Sequence, residues 1–177
     1  SPTEIDRVLG IAKAYCTRVG NGPFPTELEG EVGEALREKG GEFGATTGRP
    51  RRCGWLDLVA LKYTCMVNGF NELALTKLDV LSGMDELKVC TQYRYDGKTT
   101  ERFPSEPQNL TRVEPQYHTL PGWEADISGV RHVNDLPGEA QEYLAFIEDH
   151  LGVEIGLVSN GPRRSQIITD VQPMAAA

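Results

Sequence analysis

Apolar residues recur along the chain at two spacings, and the spacing assigns most of its elements. Between residues 4 and 18, Ile5, Val8, Leu9, Ile11, Ala12 and Cys16 fall on one side of a helix. Gly20-Asn21-Gly22-Pro23-Phe24-Pro25 breaks that helix into a loop. A second helix opens at Thr26, with Glu29 three residues on as a capping box. It turns Leu28, Val32, Ala35 and Leu36 to one face and stops at Gly40-Gly41. Trp55 to Val67 forms a third helix, with Leu58, Leu61 and Cys65 on one face and a stop at Asn68-Gly69. Leu73-Ala74-Leu75 is a short buried strand. Residues 87–95 and 98–103 make a hairpin around Asp96-Gly97. Residues 104–136 are rich in Pro and polar groups and predict only a strand near 112–119. Pro137 starts a helix carrying Tyr143, Leu144, Ile147 and Leu151 on one side, which ends at Gly152. A strand from Glu154 to Val158 follows, then a last strand from Ser165 to Thr169, and an Ala-rich tail, about 171–177, that is read as disordered.

Twice in this order a helix leads into a short apolar strand and then into a small polar loop. Such alternation predicts an α/β fold: a partial, mostly parallel sheet with flanking helices and an antiparallel hairpin. The loops Thr76-Lys77-Leu78-Asp79 and Ser159-Asn160-Gly161-Pro162 then lie at the carboxyl ends of strands, where open α/β sheets bind ligands, as two walls of one pocket. A length of 177 residues fits one domain. No run approaches a membrane helix and no secretory segment opens the chain. With 26 acidic against 18 basic residues, a net charge of −8 argues against general binding to nucleic acid or membrane surfaces. Any anion site must be local. Cys16, Cys53, Cys65 and Cys90 form no C-x-x-C pair, and His118, His132 and His150 are scattered among them, so the spacing offers no metal site. Such cysteines fit a reducing cytosol, with a disulfide pair left open.

Two segments carry candidate chemistry. In GEFGATTGRPRR, Arg49, Arg51 and Arg52 cluster with no carboxylate between them. Gly44 and Gly48 let the backbone approach a ligand, and Thr46 and Thr47 supply hydroxyls. Arg49 and Arg51 suit bidentate clamping of carboxylate or phosphate, while Pro50 stiffens the segment. The plainer alternative is a solvated basic loop. In TKLD, Asp79 is suited to accept two hydrogen bonds from the N1–H and amino group of guanine, and Lys77 to lay its stem over the base. The order resembles the N-K-x-D guanine motif with Thr in place of Asn. The plainer alternative is a surface Lys and Asp at a strand end.

The stretches VLGIAKAYCTRVGNGPFPTEL, GEFGATTGRPRRCGWLDLVALKYTCMVNG, LALTKLDVLSGMDELKVC and VSNGPRR together resemble the adenylosuccinate synthetases, in order and over nearly the whole chain. That family joins IMP to L-aspartate with GTP and Mg²⁺, and is a cytoplasmic homodimer. The resemblance implies that Ala45, Thr46, Thr47, Gly48, Arg49, Pro50 and Arg51 form the loop that closes on aspartate. Within it, Thr46 and Thr47 would contact the carboxylates, Arg49 would reach aspartate and the IMP ribose, and Arg51 would lie towards GTP. Val19 would lie near the nucleotide ribose. Lys77, Leu78 and Asp79 would form the guanine site, and Ser159, Asn160 and Gly161 its other wall. Arg52 would be a structural neighbour.

The family's glycine-rich D-E-G-K-G-K loop, which holds the catalytic Asp and Mg²⁺ ligand, does not occur in this chain, nor is the family's acid His matched. The resemblance therefore covers only a carboxyl-terminal part. It implies no catalytic residue and no metal ligand here, and an isolated chain that is inactive. Two other classes stay open: a non-catalytic guanine-nucleotide-binding module, and a structural fragment with an unformed pocket.

Overall fold

The computed structural model describes residues 4–104 and 106–171. In chain order its elements are β1 (Leu9–Lys13), β2 (Cys16–Arg18), α1 (Glu31–Lys39), β3 (Arg52–Gly54), β4 (Leu56–Asp57), α2 (Leu58–Asn68), β5 (Glu72–Thr76), β6 (Glu86–Tyr95), β7 (Lys98–Thr100), β8 (Glu114–Pro121), α3 (Gly138–Leu151), β9 (Glu154–Ser159) and β10 (Ile167–Ile168). The principal sheet has the order β1-β5-β9-β10. β1, β5 and β9 run parallel, and β10 closes the edge antiparallel to β9. A second sheet pairs β6 with β4, β7 and β8, and β2 pairs with β3 in a ribbon. The α/β class, the mostly parallel sheet and the antiparallel hairpin are all present.

The helix expected over residues 4–18 does not form. Residues 9–13 instead pair one for one with β5, from Leu9 opposite Glu72 to Lys13 opposite Thr76. Ala14 N–H extends the ladder to Thr76 O at 2.8 Å. Strands of parallel sheets need not alternate in polarity, so an apolar run can mimic helical spacing. Gly10 marks the strand: a Cβ there would lie 2.4 Å from the Phe70 ring.

The second helix starts later than Thr26 because residues 26–28 spend their backbone groups on the β3 edge. Leu28 N–H donates to Cys53 O at 2.9 Å, and Trp55 N–H to Thr26 O at 3.0 Å. Thr26 is buried and its hydroxyl caps nothing, so the capping box is absent. Helix α1 begins after Gly30, whose φ of 83° turns the chain. α2 likewise begins at Leu58, since Leu56 and Asp57 first pair with β6, and Asp57 then caps the helix by accepting from Ala60 N–H at 3.1 Å.

The remaining elements lie close to their predicted positions. Asp96 and Gly97 both have positive φ at the β6–β7 turn, as a two-residue hairpin requires. In α3, Tyr143, Leu144, Ile147 and Leu151 are buried against the sheet side of the core. Tyr143 Oη donates to Ala14 O at 2.6 Å and so ties α3 to the end of β1. The four cysteines are free thiols. Val171 is buried; residues 172–177, the bulk of the expected tail, lie outside the described residues. No helix among the described residues is long and apolar enough to cross a membrane.

Candidate functional site at the carboxyl edge of the parallel sheet

β5 and β9 run side by side, with Leu75 opposite Val158, so the segments after Thr76 and Ser159 leave the same sheet edge. Thr76 Oγ1 donates to Ala12 O at 3.0 Å and fixes the strand end. Lys77 then adopts a left-handed conformation, φ 62°, which is costly for a residue other than glycine. A 3-10 turn follows over Leu78–Leu81. Leu78, Val80 and Leu81 are buried and anchor the turn in the core. Leu78 is fully buried, so its part in any ligand contact falls to its backbone. Asp79 sits half-buried on the turn. Its Oδ1 is shielded from solvent and accepts no hydrogen bond. Burial raises its carboxyl above the ordinary value, against the pull of its backbone N–H and of Lys77.

On the facing segment, Ser159 Oγ donates to Gly161 O at 3.1 Å. Asn160 is fully buried; its amide donates to Ile127 O at 2.5 Å and Val130 O at 2.9 Å, while its Oδ1 is unpartnered. Asn160 therefore holds the 127–130 turn against this edge. Gly161 packs against the Gln166 amide: a Cβ there would lie 2.4 Å from it, so a side chain would displace that amide.

The arginine segment folds back on itself. Gly44 N–H donates to Arg49 O at 2.9 Å, and Gly48 N–H to Gly44 O at 2.8 Å. Gly48 has φ 62°. Ala45, Thr46, Thr47, Gly48, Arg49 and Pro50 are exposed. Thr47 Oγ1 accepts from Arg49 N–H at 3.3 Å. A cleft of about 290 Å³ brings Val19 and Arg18 beside Thr47, Arg49, Pro50 and Arg51. Arg52 lines the same cleft, but its guanidinium is taken up: it pairs with both oxygens of Glu27, donates to Gly20 O and Gly22 O, and lies 5.5 Å from the Phe24 ring centre. It is a structural arginine.

What joins the two groups is Glu42, which sequence reasoning passed over. Glu42 is fully buried. Its Oε1 accepts from Tyr15 Oη at 2.7 Å, Lys13 Nζ at 2.8 Å and Lys77 Nζ at 2.9 Å. Its Oε2 accepts from Arg51 Nη1 at 2.7 Å. Burial pushes this carboxyl up, but the four donors outweigh it and hold the group down to about 2. Lys13 was hidden by the misread helix. Glu42 itself had one available signal, as the single carboxylate in the glycine-rich run Gly40 to Gly48.

A second, larger cleft and the ring contacts of the histidines do not involve the residues of these loops. This cleft, of about 760 Å³, runs along Tyr63, Met66, Phe70 and Phe103 and offers mostly apolar lining. Size and chemistry thus disagree, and the convergent polar groups mark the site. His118 stacks on Phe146 at 4.5 Å, and His132 Nδ1 lies 2.8 Å from Asp170 Oδ2. His150, at the end of α3, is half-buried. It stacks near Phe146, and its Nε2 is buried without a partner, with burial depressing its basicity.

The sequence model of the adenylosuccinate synthetase family matches residues 1–168. The chain is 91% identical over its whole length to the adenylosuccinate synthetase of Salinibacter ruber (strain DSM 13855 / M31), of which it covers 40%. It is 57% identical over 160 residues to that of Aquifex aeolicus (strain VF5), covering 37% of it. A fully ligated adenylosuccinate synthetase from Plasmodium falciparum superimposes with a TM-score of 0.91 at 42% identity, over 94% of this chain and 40% of that one. The chain belongs to the adenylosuccinate synthetase family. It spans about 40% of the length of these relatives.

Proposed function

We propose that this chain supplies the guanine pocket and the aspartate–IMP clamp of a GTP-dependent ligase of purine biosynthesis, cytoplasmic and dimeric when whole. The observation that carries the reading is Asp79 Oδ1, a shielded acceptor with no donor, at the carboxyl end of β5. A buried polar atom left unpaired costs about 1–3 kcal/mol, so a ligand that brings a donor is favoured there. Guanine brings two donors on one edge, which suits a carboxylate and excludes adenine. Ser159, Asn160 and Gly161 form the neighbouring wall. Lys77 stands beside the base site, but its ammonium is engaged by Glu42 and Gly40 O (2.5 Å), so its role there is to hold the loop as well as to flank the base.

The loop of Ala45 to Arg51, exposed from Ala45 to Pro50, acts as the clamp. Thr46, Thr47 and Arg49 meet the carboxylates of L-aspartate, Val19 and Arg49 meet the IMP ribose, and Arg51, with one nitrogen held by Glu42, meets GTP. Its backbone bonds between Gly44 and Arg49 keep it a preformed turn, which lowers the ordering cost of binding. In the family's reaction the IMP O6 attacks the γ-phosphate and the aspartate amine then displaces phosphate. This chain's part in that sequence is binding, orientation and exclusion of water. The reading assigns it no base, acid or Mg²⁺ ligand.

The test is Asp79→Asn in a complete synthetase of the family into which this segment is grafted. An amide keeps an acceptor for N1–H and offers a donor to the O2 of xanthine. The expected result is a GTP constant weakened about ten- to hundredfold, the scale of one charged hydrogen bond, with gained use of a xanthine nucleotide. Unchanged constants for GTP remove Asp79 from the base site.

A further inference from the structure

We propose that Glu42 is the positioning residue that couples the base-site loop to the arginine clamp, an inference that rests on the placement of guanine and anion sites above. The two loops share this carboxylate: Lys77, from the base-site loop, bonds one oxygen, and Arg51, from the clamp, bonds the other. Glu42 itself cannot drift. Its N–H donates to Arg37 O at 2.8 Å, and its carbonyl accepts from Arg51 N–H at 2.9 Å. Tyr15 and Lys13 hold Oε1 from the end of β1.

The geometry makes the guanidinium of Arg51 a divided group. One nitrogen is fixed on Glu42, and the side chain lines the 290 Å³ cleft with Arg49 and Val19. An arginine restrained at one end presents the rest of its fork in a set orientation, which a free arginine does only at a cost in side-chain entropy. Lys77 is restrained twice, by Glu42 and by Gly40 O, and sits in a left-handed backbone conformation that those bonds help maintain. A base seated against Asp79, two residues along, therefore bears on the same carboxylate that aims Arg51. Three cations around one anion also leave the junction with excess positive charge in a chain of net charge −8. That excess suits the anionic substrates on either side.

The test uses the grafted complete synthetase and the variants Glu42→Gln, Lys77→Met and their combination, with KM for GTP, L-aspartate and IMP measured alongside kcat. Glu42→Gln is expected to raise KM for GTP and for aspartate each about tenfold while kcat changes less than threefold. The combined variant is expected to bind GTP and aspartate no worse than the poorer single variant, because both changes cut one link. Multiplying effects in the combination would overturn the coupling, and so would a Glu42→Gln enzyme that melts earlier with all constants within twofold. If Glu42→Gln does not fold, Lys77→Met alone decides: a base-loop change must raise KM for aspartate at least threefold, and an unchanged value sinks the proposal. Asp79→Asn run in parallel separates the two readings. Unaltered GTP use there with non-multiplying Glu42 and Lys77 effects on aspartate discards the base site and keeps the link. A nucleobase switch with multiplying effects does the reverse.

Discussion

Glu42 and Asp57 are both carboxylates removed from solvent, one at the carboxyl edge of the parallel sheet, the other where β4 turns into α2 beneath the second sheet. Burial acts on both in the same direction, raising the carboxyl pKa. They end on opposite sides of the ordinary range. Glu42 has three cations and a phenol for partners and is held at about 2. Asp57 has only neutral donors, Tyr93 Oη and the N–H groups at the start of α2, and these do not offset burial, so its pKa is raised. The difference teaches that the partners, not depth, decide what a buried carboxylate is for. Around Asp57 the network is closed: each oxygen is satisfied and the phenol is spent. Around Glu42 cations outnumber carboxylates, which leaves donor capacity on Lys77 and Arg51 for something else.

Removing the anion from the charged junction is expected to have the largest effect on stability. Glu42→Leu leaves Lys13, Lys77 and Arg51 facing one another, and loss of one partner from a buried ionic cluster costs about 3–5 kcal/mol. Denaturant unfolding of this chain reads it directly; a midpoint unchanged from the parent would mean that the cations relax into solvent and that the junction is not a structural unit. Asp57→Ala comes next. It removes a helix cap, about 1 kcal/mol, and strands a buried tyrosine hydroxyl, about 1–3 kcal/mol. Asp57→Asn keeps an acceptor and should lose clearly less, and equal losses for the two would show that Tyr93 has another partner.

Acid titration sharpens the same contrast. Glu42 is held near 2 when folded, against an ordinary 4.5, so the unfolded chain takes up the proton first. Its stabilisation is complete above pH 4.5 and is lost as pH falls from 4.5 through 2, by roughly 2–3 kcal/mol. Asp57 has the opposite sign. Its folded form keeps the proton longer, so its contribution declines as pH rises from 3.8 through the raised folded value. Glu42→Gln should therefore flatten the acid limb of a stability–pH curve. An acid limb as steep as the parent's would assign it to other carboxylates.

These two carboxylates also mark how far the sequence could be read. The strand and loop around Asp79 were legible because Leu73-Ala74-Leu75 is a short apolar run with a polar stop, and β9 repeats the pattern. α3 was legible from its period and its terminal glycine. Lys13 and Tyr15 were not, since Leu9, Gly10, Ile11 and Ala12 put nonpolar residues on both faces of a parallel strand and imitate a helix. Thr26 misled for a different reason: a tertiary pairing with β3 took the backbone groups that a helix start would have used. Glu42 was chemically invisible, because its importance comes from donors that lie 9, 27, 29 and 35 residues away.

Smaller effects are expected where the site faces solvent. Asp79 holds a shielded oxygen with no donor and a raised pKa, so it is a liability to the ligand-free chain. Asp79→Asn should leave the free chain's stability unchanged or raise it by up to about 1 kcal/mol, even as it weakens GTP binding. A destabilised free chain would show instead that Asp79 is already satisfied in solution.

Arg49 is expected to show the smallest effect on folding and one of the clearest on use of substrate. It stands two residues before Arg51, yet it is exposed, and the bonds that shape its turn come from backbone groups of Gly44, Gly48 and Arg49 and from the Thr47 hydroxyl, not from its own side chain. Truncating its side chain removes none of them, so Arg49→Ala should move the unfolding free energy by less than about 0.5 kcal/mol. In the grafted synthetase the same change removes a planar fork from the aspartate loop. KM for aspartate should rise about ten- to hundredfold, with GTP far less affected. Arg49→Lys should recover only part of the loss, because an ammonium carries the charge but cannot make two parallel bonds to one carboxylate. Arg51 is the internal control: anchored on buried Glu42, its truncation should cost stability as well as nucleotide affinity. If Arg49→Ala and Arg51→Ala destabilise the chain equally and leave the aspartate constant alone, the loop is a structural basic surface and the clamp reading falls.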